Sequence, residues 1–97
     1  MRNDDDAPSR YLAEWYTTPL NDLGIEELAR RVEESLATMP APPGRPTLLY
    51  ALEVPGDAYA FAVFAAGSVD LVSQACRMAG LPADRVTAAV EAQLGSP

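Results

Sequence analysis

A chain of 97 residues fits one small domain and leaves no room for a separate catalytic partner domain. Its 14 Asp and Glu against seven Arg set a formal charge of −7, which argues against nucleic acid and anionic membranes, since both require a basic footprint. Histidine is absent and Cys76 is the single cysteine, so imidazole bases, Ser-His and Cys-His nucleophile pairs, His-built zinc or nickel sites and internal disulfides are excluded.

The opening segment MRNDDDAPSR has no apolar run, so neither a signal peptide nor a membrane anchor is expected, and a cytoplasmic location is the default. Residues 1–9 read as a flexible acidic tail, with Asp4, Asp5 and Asp6 solvated rather than metal-bound. RYLAEWY (Arg10 to Tyr16) is aromatic, apolar and short enough for a strand. Pro19 then breaks the chain, and Asn21 or Asp22 is available as a helix cap.

IEELARRVEESLATM puts Ile25, Leu28, Val32, Leu36 and Met39 on one stripe at three- and four-residue steps, which predicts a helix with one buried face. On its charged face Glu26 with Arg30 and Glu27 with Arg31 are spaced for acid-first pairs four residues apart, and serve the helix rather than a site. The prolines of PAPPGRP, residues 40–46, end it.

TLLYALEV (Thr47 to Val54) and AYAFAVFAA (Ala58 to Ala66), joined by PGD, predict an antiparallel hairpin. Simple alternation places Leu48, Tyr50, Leu52 and Val54 on one side and Leu49 and Ala51 on the other; in the second strand Tyr59, Phe61 and Val63 oppose Ala60, Ala62 and Phe64. Both sides are apolar, so a sheet covered on both faces is expected. Ser68 is placed to cap a second helix, VDLVSQACRMA, with Asp70 in its first turn; Gly80 supplies a left-handed stop, Leu81 packs back and Pro82 forbids continuation. The final RVTAAVEAQ is ambiguous, its alanines favouring helix and its Val86, Ala88, Val90 alternation favouring strand.

The order strand, helix, strand, strand, helix, last element is that of the α+β ferredoxin-like fold, β-α-β-β-α-β, with a four-stranded antiparallel sheet and two helices on one face; on that pattern the last element is a strand beside the first. The domain is expected over residues 10–94, with 95–97 as a C-terminal tail. YLAEWYTTP near the start and AGLPADRVTAAV near the end resemble the two ends of a family of small bacterial ferredoxin-like proteins of unknown function, some of which bind nickel. The resemblance covers roughly residues 10–92. It implies that Glu14 corresponds to the family's acidic residue in the first strand and that GLPADR, with Arg85, corresponds to its turn after the second helix. It also implies a homodimer of the α/β-barrel type, formed sheet to sheet, which the two-sided apolar strands suggest independently. The nickel-binding members use histidines; this chain has none, and no metal is transferred to it.

Glu14 and Glu53 are the acids inside apolar strands, where burial would favour the protonated form; a pairing of either with Arg10 or Arg85 is the structural alternative. Trp15, Tyr16, Tyr50 and Tyr59 are candidates to line a pocket between sheets, although strand aromatics more often serve a core or an interface. The ligand-binding set is therefore Glu14, Tyr16, Tyr50 and Arg85. Cys76 reads as a small buried hydrophobe. There is no phosphate-binding glycine loop, cysteine pair, nucleophile elbow or repeat, and no cofactor is indicated. The expectation is a homodimer that binds a small apolar or aromatic ligand, or a protein partner, without catalysis; the alternative is a cofactor-independent enzyme of the dimeric barrel type, a small oxygenase or isomerase.

Overall fold

The structure, a computed structural model, describes residues 9–16, 24–39, 45–57 and 59–90. The elements are β1 (Ser9–Trp15), α1 (Ile25–Thr38), β2 (Thr47–Val54), β3 (Tyr59–Ala66), α2 (Val69–Met78) and β4 (Arg85–Ala89), with a short 3-10 turn, Pro55–Asp57, in the hairpin. All pairings are antiparallel and the sheet order is β2-β3-β1-β4, the ferredoxin-like arrangement. Tertiary pairing resolves the ambiguous last segment. β4 supplies the outer neighbour that β1 would otherwise lack, and its Val86 opposes Ala13 on the helix side.

β1 starts at Ser9, one residue before the expected domain boundary. The acidic run, the Asn21 and Asp22 cap, most of the proline connection, Ala58 and the C-terminal tail lie outside the described residues.

The predicted stripe of α1 is the buried one: Leu28, Val32, Leu36 and Met39 are buried, and Ile25 packs against them. The N-cap position is Gly24, which makes no side-chain capping bond; the acids Glu26 and Glu27 in the first turn compensate its exposed N–H groups electrostatically. The ion pairs differ in part from expectation. Arg31 meets Glu27 at 3.1 Å, but Arg30 pairs with Glu27 and, at 2.5 Å, with Glu34 instead of Glu26. A link that the stripe does not reveal joins the helices: buried Ser35 donates from Oγ to the Ala75 carbonyl at 2.8 Å.

α2 is capped as its sequence dictates. Ser68 Oγ accepts from Leu71 N at 3.3 Å, and Gly80 adopts φ +76. Gly80 N donates to Arg77 O and Leu81 N to Cys76 O, both at 2.9 Å, the paired bonds of a Schellman stop. Leu81 thereby swings back into the core.

That core lies between the helices and one sheet face. β1 contributes Ala13 and Trp15, and β3 contributes Ala60, Ala62, Phe64 and Ala66. Small residues on the sheet let the helices approach closely, so a few large side chains, Trp15, Phe64, Leu28 and Leu81 first among them, fill the volume.

The expectation of a sheet covered on both sides is met on one side only. On the other, cross-strand partners align Arg10, Leu12 and Glu14 of β1 with Ala65, Val63 and Phe61 of β3, and with Ala89, Thr87 and Arg85 of β4. β2 adds Tyr50, Leu52 and Val54, all exposed. Simple alternation fails in β2, where a register irregularity between Leu48 and Tyr50 inserts Leu49 and sends Leu48 to the helix side opposite Phe64. Leu49 is left 45 % exposed at the sheet edge.

Candidate functional site

Period-two alternation brings Glu14 of β1 and Tyr16, the residue just past its end, to the open face together, and pairing with β4 sets Arg85 directly opposite Glu14. The Tyr16 hydroxyl donates to Glu14 Oε1 at 2.5 Å. Tyr16 also stacks on Tyr59, with ring centroids 6.0 Å apart and planes 15° from parallel. The aromatic contacts continue: Tyr59 meets Phe61, and Phe61 meets Tyr50, each at 6.0 Å with tilted planes. Four rings thus cross the open face from the Glu14 end towards a shallow concavity of about 490 Å³ lined by Arg10, Leu49, Tyr50, Val63, Ala89 and Val90.

The GLPADR turn holds this arrangement in place. Asp84 N donates to the Glu14 carbonyl at 2.8 Å, and Asp84 Oδ2 accepts from Tyr16 N at 2.7 Å. Asp84 therefore clips the end of β1 to the start of β4 and fixes the residues on either side of the strand end. Removing the carboxylate, Asp84→Ala, is expected to cost about 1 kcal/mol, a single exposed hydrogen bond, and to loosen the register at Tyr16. Chemical denaturation should read the first effect; faster amide exchange at Tyr16 should read the second.

The electrostatics follow from the contacts. The Tyr16 phenol is pushed above its ordinary range, first by its hydrogen bond to Glu14, with Arg85 acting in the opposite direction. The Tyr59 phenol is raised by burial first and by the charge of Glu14 next. Arg85 is held still more firmly protonated by Tyr16 and then by Glu14. A guanidinium and a carboxylate thus flank a protonated phenol at one end of a face whose centre, Leu12, Phe61 and Val63, is apolar.

Of the four residues proposed from sequence, Glu14, Tyr16 and Arg85 come together, while Tyr50 belongs to the far end of the same aromatic row. Trp15 does not line the open face. It is fully buried on the helix side, where Nε1 donates to the Leu81 carbonyl at 3.0 Å, because adjacent strand residues point in opposite directions. Glu53 is also separated from Glu14, since its pairing with Ala60 puts it on the helix side of the edge strand. The expected arginine partner of Glu14 is nearby as Arg85, yet the carboxylate's direct bond is to Tyr16. Asp84 and Tyr59 complete the site; Tyr59 is one of the aromatics expected to line a pocket, whereas Asp84 is legible only as an acid in the turn after Pro82.

Cys76 is fully buried under α2, and burial pushes its thiol up to about 12 from an ordinary 9.0. The unfolded chain consequently loses this proton first. The stability tied to the neutral thiol is complete below about pH 9 and declines as pH rises towards about 12. Urea midpoints at about pH 8 and about pH 10.5 should fall more steeply for the parent than for Cys76→Ala, which cannot ionise there. Among the described residues no group of three or more Cys, Asp or Glu side chains is assembled that could hold a metal ion, and no helix is long and apolar enough to cross a membrane.

No protein-family model matches the sequence, and no curated protein sequence matches it. Among solved structures, the crystal structure of SCO4226 from Streptomyces coelicolor A3(2) superposes with a TM-score of 0.66 at 15 % identity, covering 88 % of this chain and 100 % of that one. At this identity the similarity is one of fold, and the two chains share the ferredoxin-like architecture.

Proposed function

We propose that the protein is a cytoplasmic homodimer that closes two open sheet faces on one another and holds a small, mostly apolar or aromatic ligand at the ringed end, without catalysis. The observation that carries this reading is the uncovered face itself. Four strands about 4.8 Å apart and up to eight residues long, at about 3.3 Å per residue, span roughly 19 by 26 Å. That is about as large as the apolar patches monomers keep, and those commonly mark interaction surfaces. Leu12, Leu52, Val54, Phe61 and Val63 supply its apolar ground, and a second copy of the same face is a partner with matching chemistry. The aromatic row ending at Glu14 supports ligand binding, since apolar walls with few convergent polar groups are the usual make-up of a small-molecule site.

The hydrogen bond between Glu14 and Tyr16 favours one second reading, a cofactor-independent oxygenase or isomerase in which Glu14 accepts a substrate proton. Native mass spectrometry of protein purified from its own cell tests the first reading by reporting oligomer mass and any retained small molecule together. A dimer carrying a stoichiometric aromatic compound that is recovered unchanged after incubation with the protein supports binding without catalysis. Conversion of that compound supports the enzyme. A bare monomer overturns both.

A further inference from the structure

We propose that the ligand of the open face is a hydroxylated aromatic compound, its ring lying along Tyr59 and Phe61 and its hydroxyl hydrogen-bonded to Glu14 beside Arg85. The inference rests on the reading that this face binds a small aromatic ligand, and it names the chemistry of that ligand.

A carboxylate has two oxygens and about four acceptor positions. Tyr16 occupies one position on Oε1 of Glu14 and Tyr59 is a second hydrogen-bonding neighbour, which leaves acceptor positions for one more donor. A group arriving there must donate to an acid, and it must also tolerate or accept from the guanidinium directly across the β1–β4 pair. An organic cation would meet Arg85, and a carboxylate would meet Glu14, each a like-charge encounter. A purely apolar ring would strip water from the carboxylate without supplying a donor in its place, which is costly. A hydroxyl satisfies both neighbours at once, donating its proton to Glu14 while its oxygen accepts from Arg85.

The protein already displays that arrangement in its own side chain. The Tyr16 hydroxyl, 43 % exposed as a residue, is a phenol donating to Glu14 with Arg85 alongside, and its ring lies nearly parallel to Tyr59. The raised phenols of Tyr16 and Tyr59 show that this environment favours the protonated hydroxyl at neutral pH. The rings of Tyr59, Phe61 and Tyr50 at 6.0 Å steps then give a second aromatic system a surface to stack against.

The experiment is a calorimetric titration of the full chain at neutral pH with 2-naphthol, 2-methoxynaphthalene and 2-naphthoate, with backbone amide shifts locating each compound. The expected result is binding of 2-naphthol, shifts centred on Glu14, Tyr59 and Phe61, and affinity at least tenfold above both other compounds, because a site built around a hydroxyl rejects analogues that cannot donate. In Glu14→Gln the preference for 2-naphthol over 2-methoxynaphthalene is expected to fall below threefold; Arg85→Gln, at an exposed position, should lower 2-naphthol affinity and serves if the first variant does not fold. Equal binding of 2-naphthol and 2-methoxynaphthalene at this face overturns the inference and leaves the aromatic-binding reading standing. Tightest binding of 2-naphthoate also overturns it. Failure of all three compounds to bind overturns the inference and the ligand reading beneath it.

Discussion

Trp15→Ala is expected to remove a large share of the chain's folding stability. Trp15 is the largest of the fully buried side chains, set in a sheet face otherwise made mainly of alanine: Ala13, Ala60, Ala62 and Ala66. Alanines cannot expand into a vacated space, and the helices above are held by the Ser68 cap of α2 and by the Ser35 bond to Ala75. Relaxation around the cavity is therefore limited, and the loss belongs at the upper end of the usual range for a buried aromatic, about 3–5 kcal/mol. A domain of this size has about 5–15 kcal/mol in total. Part of the loss is polar, because the Leu81 carbonyl gives up the indole N–H at 3.0 Å in a buried position. Trp15→Phe separates the two contributions: it keeps a ring and orphans the carbonyl, at an expected cost of about 1–3 kcal/mol. Guanidinium unfolding of the three proteins measures both steps. A parent-like midpoint for Trp15→Ala would show that Trp15 does not organise this core.

The same residue shows where reading the sequence stops. Alternation along β1 is visible in the chain, and it requires that Trp15 and Tyr16 face opposite ways; grouping both in one pocket ignores the pleat. The same period groups Glu14 with Tyr16 and sends Trp15 to the core. The bulge at Leu49 is different in kind. Thr47 to Tyr50 contains no glycine, proline or change in polarity, so nothing local signals the extra residue, and only pairing with Phe64 and Val63 reveals it. Elements whose ends are chemically marked were readable, as with Ser68, Gly80 and Leu81 around α2, because each satisfies orphan backbone groups within a few residues. Asp84 works over long range, bonding to Tyr16 from 68 residues away, and such partners depend on topology. The last segment was settled the same way, its alanines overruled by an open edge of β1 that a strand can satisfy and a helix cannot.

Val63→Glu is expected to abolish the proposed dimer with little damage to the fold. Val63 sits at the middle of the open face, on the interior strand β3, in register with Tyr50 on one side and Leu12 on the other. In the isolated protomer it is half-buried, so a glutamate there can turn its carboxylate to water. The protomer should lose no more than about 1 kcal/mol, since Val63 is not part of the helix-side core. Closing two such faces is another matter. An isologous interface buries the substituted residue in both copies, so two carboxylates are desolvated together, each at a penalty of several kcal/mol. Arg10 borders the same concavity as Val63 and offsets part of that penalty, while Arg85 is already engaged with Tyr16 and Glu14. Every ~1.4 kcal/mol is tenfold in the dissociation constant, so the combined penalty weakens association by at least about a thousandfold. Sedimentation equilibrium at micromolar concentration should give a dimer for the parent and a monomer for Val63→Glu. The melting temperature should rise with protein concentration for the parent and stay constant for the variant, since only the parent gains stability from association. A parent that sediments as a monomer would overturn the sheet-to-sheet dimer outright, and a variant that dimerises as tightly as the parent would move the interface away from this face.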